Sequence, residues 1–169
     1  MPEQDYDYSY DENDAYLYSG TDVLVNNFGI KDRKELSEIE RAITGARIAE
    51  IDIHPILGCF DLDHKALFEG VYPWAGKIRT RGFISKGNSL FCAPEFIVSY
   101  SDDLFGKLNE DGYLKELCRE DFIKKMAFYC AEINALHPFR EGNGRAQRVF
   151  ANQLARSAGW ELRLYTIDP

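Results

Sequence analysis

An all-α domain with one small β-hairpin is what this sequence predicts, on three observations. Apolar residues recur at three- and four-residue spacing through most of the chain, the period of a helix with one buried face. Only one stretch has strand character, the runs 78–84 and 90–92 around the turn formers Lys86, Gly87, Asn88 and Ser89. The 169 residues show neither an internal repeat nor a linker, and 45% are hydrophobic, enough for one sizeable core.

Residues 1–15 are acidic, with Tyr6, Tyr8 and Tyr10 but little aliphatic surface, and are expected to form a mobile tail ahead of a domain spanning 16–169. From Tyr16 to Leu24 aromatics alternate with turn formers, an irregular arm with a short helix near 22–28 and a stop at Gly29. Asp32 and Glu35 have the spacing of a capping box, and Leu36, Ile39, Ile43 and Ala46 carry a helix to about Glu50. His54-Pro55 and Gly58 predict a loop over 51–59, with His54 structural or exposed. A second helix spans 61–71, with Leu62, Ala66, Leu67 and Val71 on one side and His64 partly exposed. Tyr72-Pro73-Trp74-Ala75-Gly76 breaks it and supplies an aromatic anchor. The hairpin follows. Alone it would be marginal in water, so it leans on the helices and keeps an edge that can accept an extended segment of another protein. Pro94 opens a third helix with Ile97, Tyr100, Leu104 and Leu108 in its stripe, ending at 109–112. Asp121 caps a fourth, carrying Phe122, Met126, Cys130, Ile133 and Leu136. A fifth starts at about Asn143 with Ala146, Val149, Phe150 and Leu154, and Gly159 serves as its C′ residue. The sequence stops at Pro169, and a further helix is expected to have been cut away.

Charge and composition exclude several classes. The net charge of −8 is concentrated in residues 1–20, which hold Glu3, Asp5, Asp7, Asp11, Glu12 and Asp14 and no Lys or Arg. The remainder carries about −2 and no basic block, which argues against a nucleic-acid partner. No apolar run approaches the ~18 residues of a membrane span and no signal peptide opens the chain, so a soluble, cytoplasmic protein is expected. Cys59, Cys92, Cys118 and Cys130 form no C-x-x-C pair. Reduced thiols and no structural zinc site are expected.

The chemistry concentrates in His137-Pro138-Phe139-Arg140-Glu141-Gly142-Asn143-Gly144-Arg145-Ala146-Gln147-Arg148. Gly142 and Gly144 flank Asn143 where a helix begins, so backbone N–H groups can turn toward an anion and a ligand can approach closely. Arg145 and Arg148, three apart, share a helix face and suit the outer phosphates of a triphosphate. Glu141 beside phosphates would repel them unless magnesium intervenes, held by the carboxylate and phosphate oxygens. An unperturbed histidine has a pKa of ~6.5, so His137 can accept a proton at neutral pH, help worth roughly 10²–10⁴-fold. Phe139 pins the loop to the core, and Arg140 faces solvent. Singly each residue has a bland reading: a structural histidine, a turn, a solvated face. Their conjunction within one loop points to nucleotide chemistry, although no Walker-type phosphate loop occurs.

These residues match the signature H-x-F-x-[D/E]-G-N-G-R-x-x-R at every fixed position, and the chain resembles the Fic family from about residue 16 to 160. That resemblance implies a helical fold with a β-hairpin flap and transfer of AMP from ATP to a protein hydroxyl of Ser, Thr or Tyr. It implies His137 as base, Glu141 as Mg2+ ligand, Gly142, Asn143 and Gly144 as phosphate cradle, and Arg145 and Arg148 as phosphate binders. Lys86, Gly87, Asn88, Ser89, Leu90 and Phe91 would be the flap that docks the target by strand addition. Gly144 stands where the related Doc kinases carry lysine, which favours AMP transfer over phosphate transfer. The inhibitory pattern Ser/Thr-x-x-x-Glu-Gly/Asn is missing: Glu12-Asn13 is preceded at that spacing by Tyr8, and Glu69-Gly70 by Lys65. The resemblance therefore implies a bacterial toxin silenced by a separate small antitoxin whose glutamate captures Arg148. Related toxins modify type II topoisomerases, DNA gyrase or topoisomerase IV. Transfer of UMP or phosphocholine, a non-catalytic nucleotide-binding module, and a domain of a longer secreted effector stay open alternatives.

Overall fold

Five helices among the described residues build the core: α1 (Arg33–Ile53), α2 (Phe60–Phe68), α3 (Ile97–Glu110), α4 (Arg119–Leu136) and α5 (Asn143–Ser157). The computed structural model describes residues 7–8, 16–53, 60–86 and 89–162. His54, Cys59, Gly87, Asn88, most of the acidic tail and the residues after 162 lie outside that set. For Asp7, Tyr8, Ile53, Leu62, Lys86 and Ser89 the backbone alone is described.

The predicted capping box forms, with the Glu35 N–H donating to Asp32 Oδ1 at 2.8 Å where α1 begins. α5 is the axis of the assembly. It packs on α2 and α4, α1 covers α2, and α3 covers α4. Its apolar face, Ala146, Val149, Phe150, Ala151, Leu154 and Ala155, is buried as its spacing predicts. The helix ends at Ser157, with Gly159 in the left-handed region (φ 83°) as expected of a C′ glycine.

Three expectations about the backbone's path and helix ends are corrected first. No helix forms over 22–28. Asn26 is buried there, its amide donating to the carbonyls of Leu24 (2.9 Å) and Ile30 (2.7 Å) while its oxygen accepts from Phe28 and Ile30. A side chain that bonds nearby backbone on both sides competes with helical bonding and holds a loop instead. α4 begins two residues before Asp121, with Cys118 at its N-cap, because the acid helps in the first turn without capping. The strand character of 78–83 is overruled by Arg79: its N–H donates to Pro138 O at 2.9 Å and its guanidinium takes further carbonyls, so this backbone serves the α4–α5 loop and not a ladder.

The hairpin is short, β2 (Ile84–Lys86) antiparallel to β3 (Ser89–Leu90). β1 (Asp7–Tyr8), from within the acidic tail, pairs antiparallel with β2, giving the order β1-β2-β3. β3 is anchored below by Cys92 N–H donating to Ala135 O of α4 at 2.9 Å.

α2 buries two titratable neighbours. Asp63 accepts from Gln153 Nε2 at 2.6 Å, yet burial pushes its carboxyl up to about 6, with Asp61 adding to the rise against the hydrogen bond. His64 is fully buried, not partly exposed as its helical position suggested, and burial lowers its imidazole to about 4. The two have opposite linkage signs. His64 contributes stability that is present above its unfolded pKa of ~6.5 and lost as pH falls toward 4, whereas Asp63 contributes stability present at acid pH and lost as pH rises through 6. In Asp63→Asn only the histidine slope remains. Urea unfolding of that variant is expected to lose stability steeply between about pH 6.5 and 4 while the parent stays flatter. Equal slopes would refute the opposition.

Candidate active site

The α4–α5 loop is fixed at both ends and in the middle. α4 closes on His137 in the left-handed region (φ 43°, ψ 59°), its N–H donating to Ile133 O. A non-glycine residue there costs of order 1 kcal/mol and needs its surroundings to hold it. Arg79 does so from beneath. It is 1% exposed, and its Nε–H donates to His137 O at 2.9 Å while the other nitrogens donate to Gly82 O and Cys92 O. One buried cation thus ties the hairpin and the loop together through carbonyl dipoles. Phe91 of the hairpin lies flat on the His137 ring, centroids 3.8 Å apart.

Asn143 closes the loop. Its oxygen accepts the Phe139 N–H (2.9 Å) and its amide donates to Phe139 O (2.8 Å), a two-bond clasp buried from water. The Asn143 side chain is thereby committed to the loop, which leaves its backbone N–H as the group it could offer an anion. Phe139 is fully buried on His64 (3.8 Å) and Phe60 (5.4 Å), as expected. Arg140 is also buried, against the expectation that it faces solvent. His64 adds a strut: Gly76 N–H donates to Nδ1 at 2.9 Å, so the proton sits on Nε2 and donates to Glu141 O at 2.9 Å. The lowered pKa suits this, since a neutral ring offers one acceptor and one donor.

Within the clasp the loop turns through Gly142 (φ 81°) into α5. Glu141 Oε1 accepts the Gly142 N–H at 2.9 Å and lies 3.9 Å from an Arg145 nitrogen. The Arg145 guanidinium stacks over the Phe68 ring at 4.7 Å and pairs with Glu40 of α1, whose carboxylate also accepts the Tyr72 hydroxyl. Arg148, one turn on, is exposed and makes no ion pair among the described residues. The site thus joins His137, Glu141, the α5 N-terminus and Arg145 on one loop. Sequence reasoning missed Glu40, Tyr72, Arg79 and His64. No local motif marks Glu40 among the acids of α1, and Arg79 shares its extended run with Arg81, so the sequence did not single it out.

The residues can hold a magnesium ion only jointly with a ligand. Among the described residues no three acidic, histidine or cysteine side chains gather at one point, and Glu141 offers a single hard carboxylate at the rim. That fits a cation arriving with phosphates, which complete an octahedral oxygen shell.

The two glycines differ. A Cβ on Gly142 would run into the Phe68 ring, and its φ is unfavourable for any other residue. A Cβ on Gly144 would meet only Arg148 Nη1, at 3.8 Å. The fold itself has no need of glycine at 144. A glycine in a helical turn costs roughly 0.5–1 kcal/mol against alanine, so its use here fits close approach by a ligand.

Residues 62–155 match the Fic/DOC family. The protein adenylyltransferase VbhT of Bartonella schoenbuchensis is 42% identical over 155 residues, covering 89% of this chain and 32% of VbhT, so the chain spans about a third of that relative. The "Probable protein adenylyltransferase Fic" of Salmonella typhimurium is 38% identical over 152 residues, 88% of this chain and 76% of that protein. Among solved structures, BepC of Bartonella tribocorum with bound AMPPNP superposes with a TM-score of 0.83 at 28% identity, over 94% of this chain and 85% of BepC.

The glycines give opposite expectations. Gly142→Ala is expected to lose at least ~1–3 kcal/mol in urea unfolding, from strain and the Phe68 clash. Gly144→Ala is expected to be neutral or slightly stabilising. Equal losses would show that Gly144 is also structural.

Proposed function

The chain belongs to the Fic/DOC family, and from that premise we propose that it is a protein adenylyltransferase, moving AMP from ATP to a hydroxyl of a target protein. The observation that carries this reading is the rigid loop that sets His137, Glu141 and Arg145 around one helix start, with Gly144 open beside them. The names of the relatives and the AMPPNP in BepC support the same chemistry.

In this reading the triphosphate lies along the start of α5. The N–H groups that the first helical turn leaves unused face its oxygens, and Arg145 and Arg148 hold the outer phosphates. Magnesium, bound by Glu141 together with the phosphates, would neutralise charge on the departing group. His137 takes the proton from the target hydroxyl as its oxygen forms a bond to the α-phosphorus. The bond from that phosphorus to the bridging oxygen breaks, and pyrophosphate leaves. Phe91 stacking and the Arg79 hydrogen bond to His137 O keep the base from rotating away. The target presents its hydroxyl on a strand laid along the hairpin. Arg148, exposed and without an ion pair among the described residues, fits capture by the glutamate of a small antitoxin, the partner this reading adds.

Incubation with ATP labelled at the α-phosphate and a bacterial lysate is expected to label a protein, and His137→Ala to abolish the label. Label from the γ-phosphate instead would mean phosphate transfer, and label surviving the substitution would remove the proposed base. Glu40→Ala is expected to raise the KM for ATP about 2- to 10-fold, because ordering a freed Arg145 costs ~0.5–1.5 kcal/mol. An unchanged KM would show that Glu40 does not orient Arg145.

A further inference from the structure

The strand-docking edge of the hairpin is already held by the chain itself. Asp7 pairs with Ser85 and Tyr8 with Ile84. On the other side of β2, Ser85 pairs with Leu90, and the Phe91 N–H donates to Ile84 O at 3.0 Å, which extends the register to Ile84 and Phe91. Residues directly opposite in antiparallel strands share a face of the sheet. Positions 8, 84 and 91 therefore form one row on one face. Ile84 in that row is buried, and Phe91 is the residue lying on the His137 ring. With strands ~4.8 Å apart, position 8 stands about 10 Å across the sheet from Phe91, on the face that fronts the proposed base. Residue 8 is a tyrosine, which carries an acceptor hydroxyl of the kind the transfer needs.

We propose that residues 7–8 dock in cis as a substrate strand and that Tyr8 is a site of self-adenylylation. This rests on the transferase reading above. The Tyr8 oxygen forms the bond to the α-phosphorus of ATP, the bond to the bridging oxygen breaks, pyrophosphate departs, and the phenolic proton passes to His137. The strand pairing supplies the orientation. Because Ile84 accepts the Phe91 N–H on the β3 side, antiparallel alternation makes Asp7–Ser85 the bonded pair on the β1 side. Loss of the Asp7 N–H therefore loosens the docked strand without touching Tyr8.

The test uses the purified full chain with magnesium and α-labelled ATP, with and without lysate, followed by peptide mapping. Adenylyl-Tyr8 is expected, at a fractional rate independent of protein concentration over a tenfold range, absent in His137→Ala and Tyr8→Phe, and slowed at least tenfold in Asp7→Pro. In the Asp7→Pro sample, labelling of lysate proteins is expected to persist or rise. Label on lysate proteins without label on Tyr8 overturns the self-modification and leaves the transferase reading intact. Tyr8 label that is undiminished in Asp7→Pro, or whose fractional rate grows with protein concentration, overturns docking in cis. No label on any protein overturns both.

Discussion

The structure depends on the two-bond clasp between Asn143 and the backbone of Phe139. It closes residues 139–143 into a turn whose interior is an aromatic ring, so the loop cannot open without exposing Phe139. A buried amide that lost its partners would cost about 1–3 kcal/mol, and the ring beneath it would lose its packing as well. Every other feature of the site is registered to that clasp. His137 leaves α4 just before it, Glu141 and Gly142 lie within it, and α5 begins at its closing residue.

Around the clasp the protein uses neutral or dipolar supports where a lone charge would be costly. His64 is held neutral between a backbone donor and a backbone acceptor. Arg79 remains a buried cation, but its nitrogens end on three carbonyls drawn from the loop and the hairpin. Free charge is kept at the rim. Arg145 is neutralised by Glu40, faced by Phe68 and approached by Glu141, while Arg148 remains open. This gradient from a dry, dipole-satisfied base to a charged rim is what a site for polyanions requires. The hairpin is coupled to the same base by Arg79 and Phe91, so a strand laid on its edge is placed relative to His137 by rigid contacts.

The helices and the motif loop were legible because their physics is local. The capping box at Asp32, the stripe of α5 and the glycine after it specify themselves within a few residues. The loop residues were legible because so many chemically demanding types crowd together. What sequence could not convey was long-range. Whether His64 is exposed depends on Gly76 and Glu141, the latter 77 residues away. The burial of Arg140 and the pairing of Glu40 with Arg145 depend on how helices far apart in the chain meet. The arm near Asn26 and the path of 78–83 went the other way from propensity because one polar side chain in each outbid the backbone for hydrogen bonds. The partnership of the acidic tail with β2 was invisible because two residues at an edge leave no periodicity.

The most direct test of the central claim, that one preformed loop holds a nucleotide with its α-phosphorus facing His137, is a crystal structure of the His137→Ala chain with magnesium and a non-hydrolysable ATP analogue. The account predicts phosphate oxygens on the backbone N–H groups at the start of α5 and on Arg145, a cation against Glu141, the α-phosphorus beside position 137, and the Asn143–Phe139 clasp unchanged. A nucleotide bound elsewhere, or reversed with its γ-phosphate beside position 137, would contradict it.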